Sequence, residues 1–404
     1  MHSSTSFLIG GLVSGLLSSL FIYLSHGGLA HPALISLLGV LALVSWSYLT
    51  PKSGAVAGLV IGVLWFYWIS LSFRFSDFAW MIPLVTLGIA AVYALYFAGI
   101  GWIRNLYLRA LVLWWGFDLL APMGFEWFKP EVMWADSYFG VDKASYGLML
   151  IAVVAWRRLP PKTGAAVSAL ALLFALGNDP QPLPESLPKI KLATTWVAQD
   201  VKWDRENGPM LIRQNLDAID LAMAEGYDAV VLPETVFPLY IDRHDAVLTE
   251  LLARSYGIDI VTGGLSWRGG KPHNSTYLFS KGHYRIIDKV VLVPIAESAG
   301  FLPSWAKEIV NEIFFKGAQD YEAAVQPSDM EVAGVLFRNA ICYEATTTPL
   351  FEDHPPKMIA MSNNAWYKPS IEPTLQRLVM TYFARRYHTV IWHSTNMEGS
   401  GIIR

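Results

Sequence analysis

Within the first 103 residues only three side chains carry a charge: Lys52, Arg74 and Asp77. A water-soluble domain of that size needs a hydrated surface, and about a quarter of the residues in ordinary soluble proteins are charged. Three charges cannot supply that surface, so this stretch must take a lipid bilayer as its solvent. The deficit is local: residues 1–178 hold 15 charged side chains and residues 179–404 hold the other 48. The sequence therefore predicts a membrane domain over 1–178 and a globular domain over 190–404. Between them, residues 179–189 carry Pro180, Pro182, Pro184 and Pro188 and read as a semi-extended linker.

A hydrocarbon core of roughly 30 Å asks for about 20 apolar residues per helix. Spans are expected near 6–25, 33–49, 54–72, 79–103, 106–121, 145–157 and 163–178. Loop cations then favour a cytoplasmic N-terminus. That orientation puts Lys52, Arg104, Arg109, Arg157, Arg158 and Lys162 inside, against Arg74, Lys129 and Lys143 outside. Seven spans place the globular half on the far face of the membrane, the periplasm of a Gram-negative cell. The loop 122–144 mixes Phe125, Trp127, Phe128, Trp134, Tyr138 and Phe139 with charges, as an interfacial aromatic belt does.

In the globular half, strand-like runs alternate with helical periodicity early, and strand-like runs cluster later, which predicts an α/β domain with packed sheets. The net charge of −3 gives no electrostatic footprint for nucleic acid. The single cysteine, Cys342, excludes an intramolecular disulfide framework and any multi-cysteine metal site. Walker A, G-x-S-x-G, H-E-x-x-H and post-strand G-x-G-x-x-G signatures are absent from the sequence. What remains is polar residues where apolar runs end. Glu234 closes VVLPE, Lys289 follows HYRIID and Cys342 closes VLFRNAIC. Functional groups collect at the carboxyl ends of strands in α/β sheets. A carboxylate can activate a thiol, and a lysine can stabilise the oxyanion of a tetrahedral intermediate. Each has a plainer reading: Glu234 as a helix-start acid, Lys289 as a surface lysine, Cys342 as a small core residue.

The segments holding these residues resemble the nitrilase superfamily: LPETVFP at 232–238, DKVVLVPIAE at 288–297, ICYE at 341–344 and NNAWY at 363–367. Within it the chain is most similar to the apolipoprotein N-acyltransferase branch, which carries a long multi-span N-terminal region. QDVKWD at 199–204, SLSFRFSDF at 70–78 and FGVDKASYG at 139–147 extend the likeness over essentially the whole chain. The resemblance implies an αββα sandwich. It makes Cys342 the nucleophile, Glu234 the general base and acid, and Lys289 the oxyanion stabiliser. Glu297 and Glu344 would support the site, with Tyr343 and Trp203 shaping the substrate pocket. The implied reaction is ping-pong. A phospholipid gives its sn-1 acyl chain to Cys342 as a thioester, and the N-terminal amine of an S-diacylglyceryl-cysteine lipoprotein takes it as an amide. The implied setting is the bacterial inner membrane, with a periplasmic catalytic domain, a monomer, no metal or organic cofactor and no nucleic acid partner.

Water must be kept from such a thioester, and the apolar stripe over 300–325, including Phe301, Trp305, Phe314 and Phe315, is a candidate cover. The chain departs from the family in two places. Most members carry one more membrane helix after the catalytic domain, so the chain reads as a short form or a truncated one. Gln376-Arg377 stands where Gln-His is usual, and neither His388 nor His393 is expected to be catalytic. Three other readings compete: a tethered amidase or hydrolase passing the acyl group to water, a non-catalytic envelope-assembly protein, and a transporter. The transporter leaves the globular half unexplained.

Overall fold

The computed structural model describes residues 2–121, 124–177, 183, 187–294, 297 and 320–404. Most of the expected linker over 179–189, and the expected cover as far as residue 319, lie outside the described residues. The chain forms two compact units: residues 1–180 with 369–386, and residues 181–368 with 387–404.

The first unit is helical: α1 (His2–Leu17), α2 (Leu20–His26), α3 (Pro32–Trp46), α4 (Pro51–Phe66), α5 (Ile82–Trp102), α6 (Leu106–Leu119), α7 (Lys143–Arg158) and α8 (Pro161–Phe174). Among the described residues, Pro51–Phe75 and Ala79–Trp102 are long and apolar enough to cross a membrane. The pair Thr5–Leu17 and Leu20–His26, bent by 40°, makes a third if it is one span. Helix starts follow from sequence: Thr50 and Ser53 form a capping box ahead of α4, and the Asn105 and Asp142 side chains cap α6 and α7.

Apolar helices gain little hydrophobic energy from meeting in lipid, so close backbone approach must hold them. A stripe in α4 provides it. A Cβ on Gly54 would sit 2.2 Å from Phe97 O, one on Gly58 2.0 Å from Tyr93 O, and one on Gly62 2.6 Å from the Ala90 Cα. Glycine at every fourth position thus lets α5 lie directly on α4.

The segment 124–143 departs from the belt expectation. Trp127, Phe128, Trp134 and Phe139 are buried, and only Tyr138 is exposed among the described aromatics whose burial decides the matter. The reason is a packed, ion-paired turn: Lys143 pairs with Glu131 at 2.5 Å and with Asp118, and Lys129 lies 3.4 Å from Glu126. This segment also receives a late helix, Glu372–Tyr387. Its Arg377 pairs with Asp136 at 2.7 Å, and its Arg385 donates to the carbonyls of Trp134, Ala135 and Phe139.

The second unit is α/β. Its strands are β1 (Ile190–Leu192), β2 (Thr194–Thr195), β3 (Ala229–Leu232), β4 (Asp259–Arg268), β5 (Lys271–Ser280), β6 (His283–Asp288), β7 (Asp329–Val332), β8 (Val335–Ile341), β9 (Lys357–Asn363), β10 (Val390–Asn396) and β11 (Gly401–Ile403). Among the described residues one sheet runs β1-β3-β4-β5-β6, and the other β11-β10-β9-β8-β7 with β2 beside β10. Strands β1, β3 and β4 pair in parallel, as do β8, β9 and β10.

Side-chain alternation explains why β3 is apolar throughout. Val230 and Leu232 face Ile219 of helix α9 (Gly208–Ala224) and Val247 and Leu251 of helix α10 (Asp245–Arg254). Ala229 and Val231 face the second sheet, joining Phe337, Ile341, Ile359, Met361 and Trp392. Each fully buried Val, Leu or Ile contributes about 1.5–3 kcal/mol. The strand-like run EVAGVLFRNAICYE (331–344) contains a hairpin turn between β7 and β8. Ala333 and Gly334 both take positive φ, 46° and 78°, which a two-residue turn requires.

Candidate active site

Parallel pairing brings the carboxyl ends of several strands to one end of the unit. β3 ends at Leu232 and delivers Glu234, β6 ends at Asp288 and delivers Lys289, and β8 ends at Ile341 and delivers Cys342. Cys342 takes φ 52° and Thr235, next to Glu234, takes φ 48°. Such left-handed backbone costs a β-carbon residue about 1–3 kcal/mol and gathers at functional sites. It turns the thiol out of its strand, leaving Cys342 partly exposed at the edge of the inter-sheet core.

Lys289 is wholly buried, with its Nζ 2.7 Å from Glu297 Oε2. An ammonium carries three donors, and the ion pair with Glu297 leaves capacity for an oxyanion. Burial works against the ammonium. The charges of Glu297, Glu234, Cys342 and Glu344 outweigh it and hold the lysine pKa above its ordinary value. These five groups therefore share one electrostatic neighbourhood.

Two further residues fix the carboxylates. Asn274 on β5 donates through Nδ2 to Glu234 Oε1 and to Glu297 Oε1, both at 2.9 Å. Its own carbonyl accepts the Lys289 N–H at 2.9 Å. Glu344 is buried, and its carboxylate accepts from the N–H groups of Val290, Val291 and Ile341. Glu344 thereby ties the chain after Lys289 to the turn that carries Cys342. Burial pushes its pKa up to about 7, with Lys289 and the backbone donors opposing the rise.

The turn QDVKWD divides its residues. Trp203 is 44% exposed, while Lys202 is buried and donates to Glu234 O at 3.0 Å and Thr235 Oγ1 at 2.9 Å. Tyr343 is buried. Tyr321 follows the undescribed segment and bonds Glu297 O through its N–H at 3.3 Å. Burial, then the charges of Glu297, Tyr240 and Glu234, raise its phenol's pKa. Sequence reasoning passed over Lys202, Asn274 and Tyr321. Asn274 lies within Asn274-Ser275-Thr276 of a strand and Lys202 beside Trp203, and neither carries a linear signal of its own. His393 is buried in β10, bonded to Gly399 O and Ser362 Oγ. Among the described residues no group of three or more His, Cys, Asp or Glu could hold a metal ion.

Chemically, the arrangement offers a nucleophile on a strained turn, a carboxylate oriented by an amide, and a fixed buried cation. That combination suits acyl transfer through a tetrahedral intermediate.

Residues 5–178 match the family model described as the apolipoprotein N-acyltransferase integral membrane domain. The chain is 42% identical to the apolipoprotein N-acyltransferase of Wolinella succinogenes, over 97% of this chain and 94% of that one. It is 37% identical to that of Helicobacter hepaticus, over 94% and 96% respectively. Among solved structures, an amidase from Nesterenkonia sp. aligns at TM-score 0.37 and 14% identity, covering 55% of this chain and 81% of that one.

Proposed function

The chain belongs to the apolipoprotein N-acyltransferase family, and from that premise we propose that Cys342 carries an acyl group as a thioester between two membrane substrates. The donor is the sn-1 ester of a phospholipid, and the acceptor is the N-terminal amine of an S-diacylglyceryl-cysteine lipoprotein. The protein is an acyltransferase with an integral membrane domain. We place it in the bacterial inner membrane with the α/β unit on the periplasmic side.

In the first half-reaction Glu234 takes the thiol proton as Sγ attacks the ester carbonyl. The carbonyl oxygen becomes an oxyanion beside Lys289 Nζ. Collapse breaks the ester C–O bond, and the lysophospholipid leaves with the proton from Glu234. In the second, the lipoprotein amine attacks the thioester, Glu234 takes the amine proton, and collapse returns it to the departing sulfur. One carboxylate serves both halves, so its orientation governs both rates. Glu297 and Glu344 keep Lys289 charged and in place.

The observation carrying this reading is the wholly buried Lys289 ion-paired with Glu297, whose carboxylate Asn274 ties to that of Glu234, beside the strained turn that carries Cys342. The test uses protein in detergent with phospholipid labelled in the sn-1 chain. Hydroxylamine-sensitive label is expected on the wild type and absent from Cys342→Ala, and a diacylglyceryl-cysteine peptide should draw it off as an amide. Label that ends as free fatty acid with or without peptide would replace the transferase by a hydrolase. No label on well-dispersed lipid would favour a non-catalytic protein.

A further inference from the structure

The general base assigned above is gripped from two directions. Asn274 holds its carboxylate, but a carboxylate is aimed only if the backbone beneath it is fixed as well. That backbone runs through a residue with an unfavourable conformation, Thr235 at φ 48°. Beneath it β4 leaves little room, since a Cβ on Gly263 would come within 2.7 Å of the Glu234 Cα. On the other side stands Lys202, 2% exposed, with Nζ on Glu234 O at 3.0 Å and on Thr235 Oγ1 at 2.9 Å. Two residues on, Asn215 Nδ2 donates to Val236 O at 3.1 Å.

We propose that Lys202 is a positioning residue for Glu234: its amine clamps the Glu234–Thr235 turn in the left-handed conformation that points the carboxylate at Cys342. A buried lysine is an expensive way to satisfy one carbonyl. An apolar side chain of similar volume would cost no charge burial. What the amine adds is two donors on one atom, which couple the carbonyl of residue 234 to the hydroxyl of residue 235 and so oppose rotation about the strained turn. Burial also lowers the lysine pKa to about 7, against the opposing charge of Glu234. A neutral amine keeps both donors, so the clamp works in either protonation state. Trp203, exposed on the same turn, is then free to face substrate while its neighbour faces the base.

This inference rests on the acyl-enzyme reading of the site, and the test keeps the two apart. With labelled phospholipid, the size and the rate of the label burst on the protein are measured separately, together with transfer to the peptide. Lys202→Met keeps volume and removes both donors. It is expected to reach full stoichiometric label, with acylation and transfer each slowed about ten- to a hundredfold. KM for donor and acceptor should stay within about twofold. Lys202→Arg, which restores donors, should recover part of the rate. A wild-type rate in Lys202→Met overturns the proposal. So does a reduced burst at unchanged rate, which marks a merely structural lysine. Thr235→Val, which removes one clamp partner at constant volume, should slow both halves by a smaller factor, and it keeps the proposal testable if Lys202→Met does not fold. A wild type that takes no label fails the acyl-enzyme reading instead.

Discussion

His393 has both ring nitrogens occupied inside the second sheet: Nδ1 is 3.1 Å from Gly399 O and Nε2 is 2.8 Å from Ser362 Oγ. The neutral ring with the proton on Nδ1 donates to the carbonyl and accepts from the serine. A second proton would displace that serine bond inside an apolar sheet, so burial lowers the pKa from 6.5 to about 4. The unfolded chain, by contrast, takes up that proton as pH falls below 6.5. Stability from this residue is therefore complete above that pH and is lost progressively as pH falls toward 4, by on the order of 3 kcal/mol in all. Unfolding free energies measured across this window should show His393→Asn with a flatter acid limb than the wild type, and parallel limbs would refute the assignment. The same residue shows how far a sequence speaks at this scale. Glu234, Lys289 and Cys342 stand out as polar residues closing apolar runs, and their placement at strand ends was legible from that alone. Lys202 and Asn274 were not, because what distinguishes them is a partner 32 or 40 residues away. Nothing in a linear pattern marks a lysine that turns inward.

At the scale of elements, α4 and α5 illustrate a signal present in the sequence but hidden from periodicity. Both helices are apolar on all sides, so no stripe of hydrophobic residues marks the contact face. The face is marked by size, in Gly54, Gly58 and Gly62. Gly58→Ala places a methyl carbon 2.0 Å from Tyr93 O, and both partners are helix backbone that cannot step aside locally. The expected loss is at least about 2–3 kcal/mol, the scale of overpacking in a tight interior. Gly88→Ala on α5 meets nothing within 4 Å. It should be neutral or stabilising by up to about 1 kcal/mol through helix propensity. Thermal unfolding in one detergent should separate the two variants, and equal melting temperatures would contradict this packing. The aromatic loop failed as a sequence inference for a related reason. Tryptophans flanked by charges suit a lipid interface, but they suit equally a turn whose charges pair inward. The inward pairs of Lys143 and Lys129 distinguish the two.

For the molecule as a whole, function depends on which side of the membrane the α/β unit occupies. In the first unit, two arginines gather several helix ends. Arg109 Nη1 donates to Trp46 O and Ser47 O, its Nη2 reaches Gly101 O, and Arg157 Nη1 also donates to Ser47 O. The end of α3, the end of α5, the start of α6 and the end of α7 therefore meet at one end of the bundle. These are ends that the loop-cation count puts on one face of the membrane, and which face that is remains the thing to be measured. In Cys342→Ser protein, which has no other thiol, Tyr256→Cys lies on an exposed position of the α/β unit and Thr163→Cys on an exposed position at the start of α8. A membrane-impermeant maleimide added to intact spheroplasts should label the first and spare the second until the membrane is opened. The opposite pattern would put Cys342 in the cytoplasm, where an exported lipoprotein's amine could not reach the thioester, and the proposed acceptor would have to be abandoned even if acylation of Cys342 were observed.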